Sequence, residues 1–167
     1  LSGATGNLTQ QAGTLNVGTG GITLNTLTQS NGTLSSQGAV ALTTFDQSGG
    51  STTANSSFTT QTYNQSGGTT SILGTLATTN YTQSNGTTSV TGNLTATNFT
   101  QSGGSTTTLS NLTVNGSFAQ TGGQTNVTGN ANVTTIGTMT LGNLTIGGTL
   151  NANSTAGSIN QSAGSQI

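Results

Sequence analysis

A six-residue segment recurs along this chain at a nearly constant interval. It has an aromatic residue or leucine first, glutamine third and glycine last, and successive copies begin 19, 18, 18, 18, 18 and 19 residues apart. The copies begin at Leu8, Leu27, Phe45, Tyr63, Tyr81, Phe99 and Phe118. Another begins at Ile159, 41 residues after Phe118, a gap that fits two looser coils with Met139 near the break. Self-similarity at a fixed period indicates a repeat architecture.

The length and composition of the repeat select the kind of unit. Helical repeats are longer, and the chain has no Lys, Arg or Glu to favour helices. Its many Thr, Val, Ile, Phe and Tyr residues favour strands. We therefore predict an all-β chain, a parallel β-solenoid of about nine coils of 18–20 residues that forms one domain over residues 1–167. At about 4.8 Å per coil it makes a rod of about 43 Å.

Equivalent positions of successive coils should stack into apolar rows. One row is the first position of the repeated segment, and two more follow 9 and 13 residues later. The 9-residue row comprises Ala54, Ile72, Val90, Thr108 and Val127, and the 13-residue row comprises Val40, Phe58, Leu76, Leu94, Leu112 and Ala131. Apolar rows at three places favour three strands per coil, although a flatter coil with two sheets stays open.

The third position of the segment forms a polar row two residues after the aromatic one. It comprises Gln29, Gln47, Gln65, Gln83, Gln101 and Gln120. Period-two alternation points these side chains inward or toward a corner. Stacked primary amides can each donate and accept along the axis, so we interpret the row as an amide ladder that fixes register. The alternative is an exposed amide row that binds carbohydrate.

The fifth and sixth positions of the segment predict a corner. In the six copies that begin between Leu27 and Phe118 the fifth is Asn or Gly, as at Asn31, Gly49 and Asn85, and the sixth is always Gly. Asn and Gly tolerate positive φ, so we expect the fifth residue to adopt the left-handed conformation.

The composition excludes most catalytic and binding chemistry. The chain has no Lys, Arg, His, Cys, Pro or Trp, and Asp46 is its only acidic residue. Catalytic triads, zinc and calcium sites and phosphate recognition all need residues that are missing. We therefore expect no enzyme, no cofactor, no metal and no nucleic-acid partner. Asp46 should be a solvated surface charge, and Tyr63 and Tyr81 should belong to the aromatic row.

Asparagine occurs in an unusual context. Fifteen of the 19 Asn residues stand in Asn-X-Ser/Thr, the acceptor sequence for N-glycosylation in secreted proteins. Candidate glycosylation sites are Asn31, Asn64, Asn85 and Asn115. Sugars there would add solubility that the missing charge cannot supply.

The chain resembles the shafts of filamentous-haemagglutinin-like adhesins and autotransporter passengers. The resemblance rests on the 18–19-residue coils and on the segments Gln-Ser-Gly-Gly and Gly-Asn-Leu-Thr. The resemblance covers residues 8–164 and implies a right-handed parallel β-helix, export, and a role as a stalk or adhesive fibre. The right-handed crossover preference agrees. Near-absence of charge departs from that family. The chain also resembles curli-type fibre subunits, but it does not reproduce the characteristic spacing of their repeats.

We therefore expect a secreted structural protein, extracellular or on the cell surface, that forms a fibre or adhesin shaft by stacking coils. Residues 1–8 resemble the end of a coil and residues 159–167 the start of one, so the partner should be another copy or flanking coils of a longer chain. Surface glycans of a host or neighbouring cell are further expected partners. No basic segment precedes an apolar stretch, so we expect any signal peptide to have been removed or to lie elsewhere in a longer chain.

The alternative function is an ice-binding or carbohydrate-binding solenoid that uses Thr and Asn rows. Thr-X-Thr occurs at 26–28, 95–97, 106–108 and 138–140. These positions differ within the coil, so they do not predict one continuous row.

Overall fold

The computed structural model describes residues 6–167, and these form parallel strands stacked as a β-solenoid of about nine coils. The prediction of an all-β solenoid is confirmed. Residues 1–5, included in the predicted domain and N-terminal coil, lie outside the described residues. No helix that could cross a membrane occurs in the described range.

Two sheets run the length of the stack among the described residues. The long-strand sheet contains β1 (Asn7–Gln10), β3 (Ile22–Gln29), β5 (Val40–Gln47), β7 (Phe58–Gln65), β9 (Leu76–Gln83), β11 (Leu94–Gln101), β13 (Leu112–Gln120), β15 (Ala131–Thr135), β16 (Met139–Leu141), β18 (Leu150–Ser154) and β19 (Ile159–Gln161). The short-strand sheet contains β2 (Thr14–Val17), β4 (Thr33–Ser36), β6 (Ser51–Ala54), β8 (Thr69–Ile72), β10 (Thr87–Val90), β12 (Ser105–Thr108), β14 (Gln124–Val127) and β17 (Asn143–Ile146).

Each eight-residue strand is bent near its middle. In β5, Val40 and Leu42 point inward and Phe45 and Gln47 do so again, so two adjacent outward residues, Thr43 and Thr44, separate the two inward pairs. The register skips Thr43. A strand whose alternation shifts in this way must turn a corner to keep both halves facing the core. Each coil therefore has two strands, one in each sheet, and the bent long strand forms two straight sides while the short strand forms the third. Both cross-sections left open by the sequence, two sheets and three sides, thus describe the same coil.

The core is a set of inward rows that run along the axis. Phe45, Tyr63, Tyr81, Phe99 and Phe118 are buried, and the rings from Tyr63 onward stack nearly parallel with centroids 4.8–5.0 Å apart. This separation equals the rise from coil to coil. The 9- and 13-residue rows are buried as well.

The fifth position of the repeated segment does not adopt the left-handed conformation. Among the described residues no residue other than glycine has positive φ, and the sixth-position glycines do. A Cβ on Gly49 would lie 2.3 Å from the carbonyl oxygen of Ser30, one coil away. Close approach of two coils, rather than φ, therefore favours glycine at the fifth position. At Asn31 the side chain instead accepts a hydrogen bond from the Gly32 amide.

Candidate functional site: the amide ladder, the bent outer groove and the hydroxyl face

The glutamine row forms a continuous, directional ladder inside the solenoid. Gln83 Nε2 donates to Gln65 Oε1 at 2.7 Å and to the Ser105 carbonyl at 3.1 Å. Gln83 Oε1 accepts from Gln101 Nε2 and from the Thr106 hydroxyl, both at 2.7 Å. Each amide is buried, and each hydrogen-bonds both along its own sheet and across to the other sheet. The ladder runs through Gln10, Gln29, Gln47, Gln65, Gln83, Gln101 and Gln120.

A second row of threonines completes the ladder from the short-strand sheet. Thr52, Thr70, Thr88, Thr106 and Thr125 are buried, and each donates its hydroxyl to the glutamine one coil earlier at 2.6–2.7 Å. Sequence reasoning missed this partnership because donor and acceptor lie 23 or 24 residues apart. The available signal in the sequence was that Thr recurs with the same period as the Gln row, which indicates that the two rows could lie side by side. The interior position of the amides argues against their use as an exposed carbohydrate-binding row.

The two tyrosines extend this network. The Tyr63 and Tyr81 hydroxyls lie 2.8 and 2.7 Å from the hydroxyls of Thr88 and Thr106. Each threonine hydrogen is already donated to a glutamine oxygen, which cannot donate in return. The phenols must therefore be the donors. Burial raises the pKa of both, that of Tyr81 to about 12, although the threonine hydrogen bonds oppose the shift.

A groove runs along the outer surface of the long-strand sheet, over the half of each strand that precedes the bend. Its larger part has a volume of about 420 Å³ and is lined by parts of β5, β7, β9, β11 and β13. A smaller part of about 230 Å³ continues it toward β3 and shares Leu42 and Thr59. None of the lining residues is charged. The groove was not anticipated from the sequence because residues of several different coils line it.

The groove offers unused hydrogen-bonding groups beside small apolar surfaces. The half-buried Ala77 lines it together with hydroxyl and amide side chains. Within the described part of the chain, six of these polar side chains make no hydrogen bond to protein. They are Thr59, Gln61, Thr79, Thr95, Thr97 and Asn115.

The outer face of the short-strand sheet carries a regular array of hydroxyl groups. Over β4, β6, β8, β10 and β12 the first and third residues of each strand point outward, and all ten are Ser or Thr. The threonines of the Thr-X-Thr segments at 26–28, 95–97, 106–108 and 138–140 do not form this face. Thr106 and Thr108 are buried, whereas Thr95 and Thr97 lie in the groove. Sequence reasoning missed the array because Ser and Thr alternate within it.

The remaining candidate residues lie on the surface. Asp46 is half-buried and accepts a hydrogen bond from Asn64 Nδ2 at 2.7 Å. Asn31 and Asn85 are exposed at corners, and Asn115 is exposed in the groove. Asn64 is half-buried within β7. The structure therefore leaves Asn31, Asn85 and Asn115 open to solvent and engages Asn64 with its neighbour.

Comparison of the chain with protein-family models, with curated proteins and with solved structures finds no match. The function proposed below is therefore inferred from the residues and geometry of this chain alone.

Proposed function

We propose that this chain is a structural segment of an extracellular, cell-surface fibre or adhesin shaft. The observation that carries the proposal is the continuity of the stack. Both sheets and the amide ladder run along the axis from coil to coil. Such a stack sets the length and direction of a rod.

The ends of the described stack are open coils. Ile159 stands above Met139 in the aromatic row but is 47% exposed because no described coil covers it. At the other end Leu8 and Leu15 are only partly buried. We propose that further coils cover both ends, contributed by the same polypeptide or by another copy. Unpaired strand edges favour such pairing, and neither Lys nor Pro protects them here.

Cryo-electron microscopy of the purified chain tests the proposal. Filaments with a strand spacing of about 4.8 Å and an axial repeat of about 43 Å support assembly from separate copies. Rods that continue as one polypeptide in native surface material support the shaft. Isolated monomers with ordered ends, together with absence of the chain from surface structures in situ, would contradict both forms.

The groove favours a second function, binding of a neutral glycan chain. Its uncharged lining excludes ion pairing, and its free hydroxyl and amide groups match the donors and acceptors of sugar hydroxyls. The side chains repeat at the coil spacing, so a polymer lying along the groove meets similar groups at each step.

Glycan binding can be measured with neutral oligosaccharides of glucose, galactose or N-acetylglucosamine by calorimetry. Replacing Thr79 and Thr97 with Val removes two groove hydroxyls while keeping side-chain shape, and should weaken binding about threefold to tenfold per hydroxyl. Thr107→Val, on the hydroxyl face, is the matched control. No binding to any of these sugars, or equal loss in the control, would exclude the groove.

A further inference from the structure

The amide ladder stops at Gln120, one coil before the long strand divides. Gln120 Nε2 donates to Gln101 Oε1 at 2.8 Å and to the Asn143 carbonyl at 2.9 Å. Its own Oε1 accepts nothing, the only buried side-chain nitrogen or oxygen without a partner in the described range. Gln120 is 0% exposed, so water cannot readily replace the missing donors.

Both donors are missing because two apolar residues replace them together. Thr140 pairs with Ala119, so Leu141 occupies the position above Gln120 where the next glutamine would stand. Leu144 pairs with Thr125 and occupies the position of the next threonine. Both leucines are buried. An unsatisfied buried acceptor costs about 1–3 kcal/mol, so the interface between β13–β14 and β15–β17 is weaker than those before it.

The backbone changes at the same place. In earlier coils one strand continues around the bend, but here β15 and β16 are separate, with Ile136 73% exposed between them. Of β16, only Thr140 pairs with β13, at Ala119. The corner before β17 is reduced to Gly142, whereas three residues separate the corresponding strands in earlier coils. Fewer paired residues and the break between β15 and β16 lower the cost of local opening.

We propose that residues 131–167 form a unit that opens separately from the rest of the stack. The coils before it share a complete ladder and unfold together. In a rod loaded along its axis the interfaces between coils bear the load in series, so the weakest interface yields first. This opening does not depend on the proposed shaft function, and it is measurable on the isolated chain.

Native-state hydrogen exchange of the full chain tests the proposal. Amides of β15–β19 should exchange as a group and much faster than those of β5–β12, with a step in protection between β14 and β15. Ordinary fraying would instead give a gradual decline, like that expected at β1 and β2. Protection that declines smoothly, or a single common rate for all coils, would overturn the proposal.

A double substitution provides an independent test. Leu141→Gln with Leu144→Thr restores both donors to Gln120 Oε1 and should slow exchange of β15–β19 by about tenfold to a hundredfold. Each single substitution should give part of the effect. Val133→Thr, a buried polar substitution in the same coil away from Gln120, is the control. If the double variant folds and does not slow exchange more than the control, the end of the ladder is not the cause of the separate opening. If the double variant fails to fold, the hydrogen-exchange profile of the wild-type chain still tests the proposal.

Discussion

At the scale of single residues, the stability of this chain depends on buried amides and hydroxyls that satisfy one another. Gln65, for example, uses both amide hydrogens and accepts from two donors. Buried polar groups are stabilising only when their networks are complete. A substitution in the ladder should therefore cost more than its own hydrogen bonds, because it leaves neighbours without partners.

Gln83→Leu tests this expectation. The substitution removes one donor each from the Ser105 carbonyl and Gln65 Oε1, and it takes away the acceptor of the Thr106 hydroxyl and of one amide hydrogen of Gln101. At about 1–3 kcal/mol for each buried unsatisfied group, we expect the free energy of unfolding to fall by about 3–5 kcal/mol. Chemical denaturation measures this, with exposed Gln61→Leu as the control. Equal stability of the two variants would show that the ladder does not stabilise the fold.

The phenols predict a loss of stability at high pH. The pKa of Tyr81 is raised from 10.0 to about 12 in the folded chain. Above pH 10 the unfolded chain therefore releases a proton that the folded chain retains, and stability falls as pH rises. Two pKa units correspond to about 3 kcal/mol. Melting curves between about pH 8 and 12 should show this fall, and the double variant Tyr63→Phe with Tyr81→Phe should flatten it. An unchanged fall in the double variant would show that the phenols are not its cause.

At the scale of elements, the corners fix how closely coils can approach. Gly86 has φ of +84°, and a Cβ there would lie 2.7 Å from the Gly68 carbonyl oxygen. Gly13 has φ of +75° but nothing within 4 Å of a Cβ. Substitutions at these two positions therefore distinguish the cost of the left-handed conformation from the cost of a steric clash between coils.

Alanine substitutions at the two glycines should therefore differ. Gly13→Ala should cost the price of the left-handed conformation alone, about 1–2 kcal/mol. Gly86→Ala should cost clearly more because a coil must also shift against its neighbour. Thermal unfolding of the two variants measures the difference. Similar melting temperatures would mean that the corners have room to relax.

The elements also show what sequence could and could not predict. The 18-residue period predicted the stacked coils, and the inward rows followed from it, because both depend on spacing alone. The conformation at Gly49 was misassigned because its cause, the Ser30 carbonyl, belongs to another coil. The Thr106–Gln83 bond and the groove depend likewise on contacts between residues of different coils. Local patterns thus predicted elements but not the contacts between them.

At the scale of the whole molecule, the near-absence of charge should make stability independent of salt. Asp46 is the only charged side chain of the sequence. Between about 0.01 and 1 M salt the Debye length falls from about 30 to 3 Å, which changes surface electrostatics strongly in ordinary proteins. Here we expect the melting temperature in sodium chloride to stay nearly constant. A large dependence would reveal charge-driven association that the fold does not explain.

Because the register is identical from coil to coil, the gene can lose or duplicate one coil without disturbing the stacking of the others. The glutamines from Gln29 to Gln101 recur every 18 residues. An in-frame loss of residues 66–83 would join Gln65 to Ser84, and a duplication of the same block would insert one more coil. Either event leaves every remaining side chain opposite an equivalent partner. Unequal recombination within the gene can therefore lengthen or shorten the rod in steps of one coil, so length is the property that selection can change most freely.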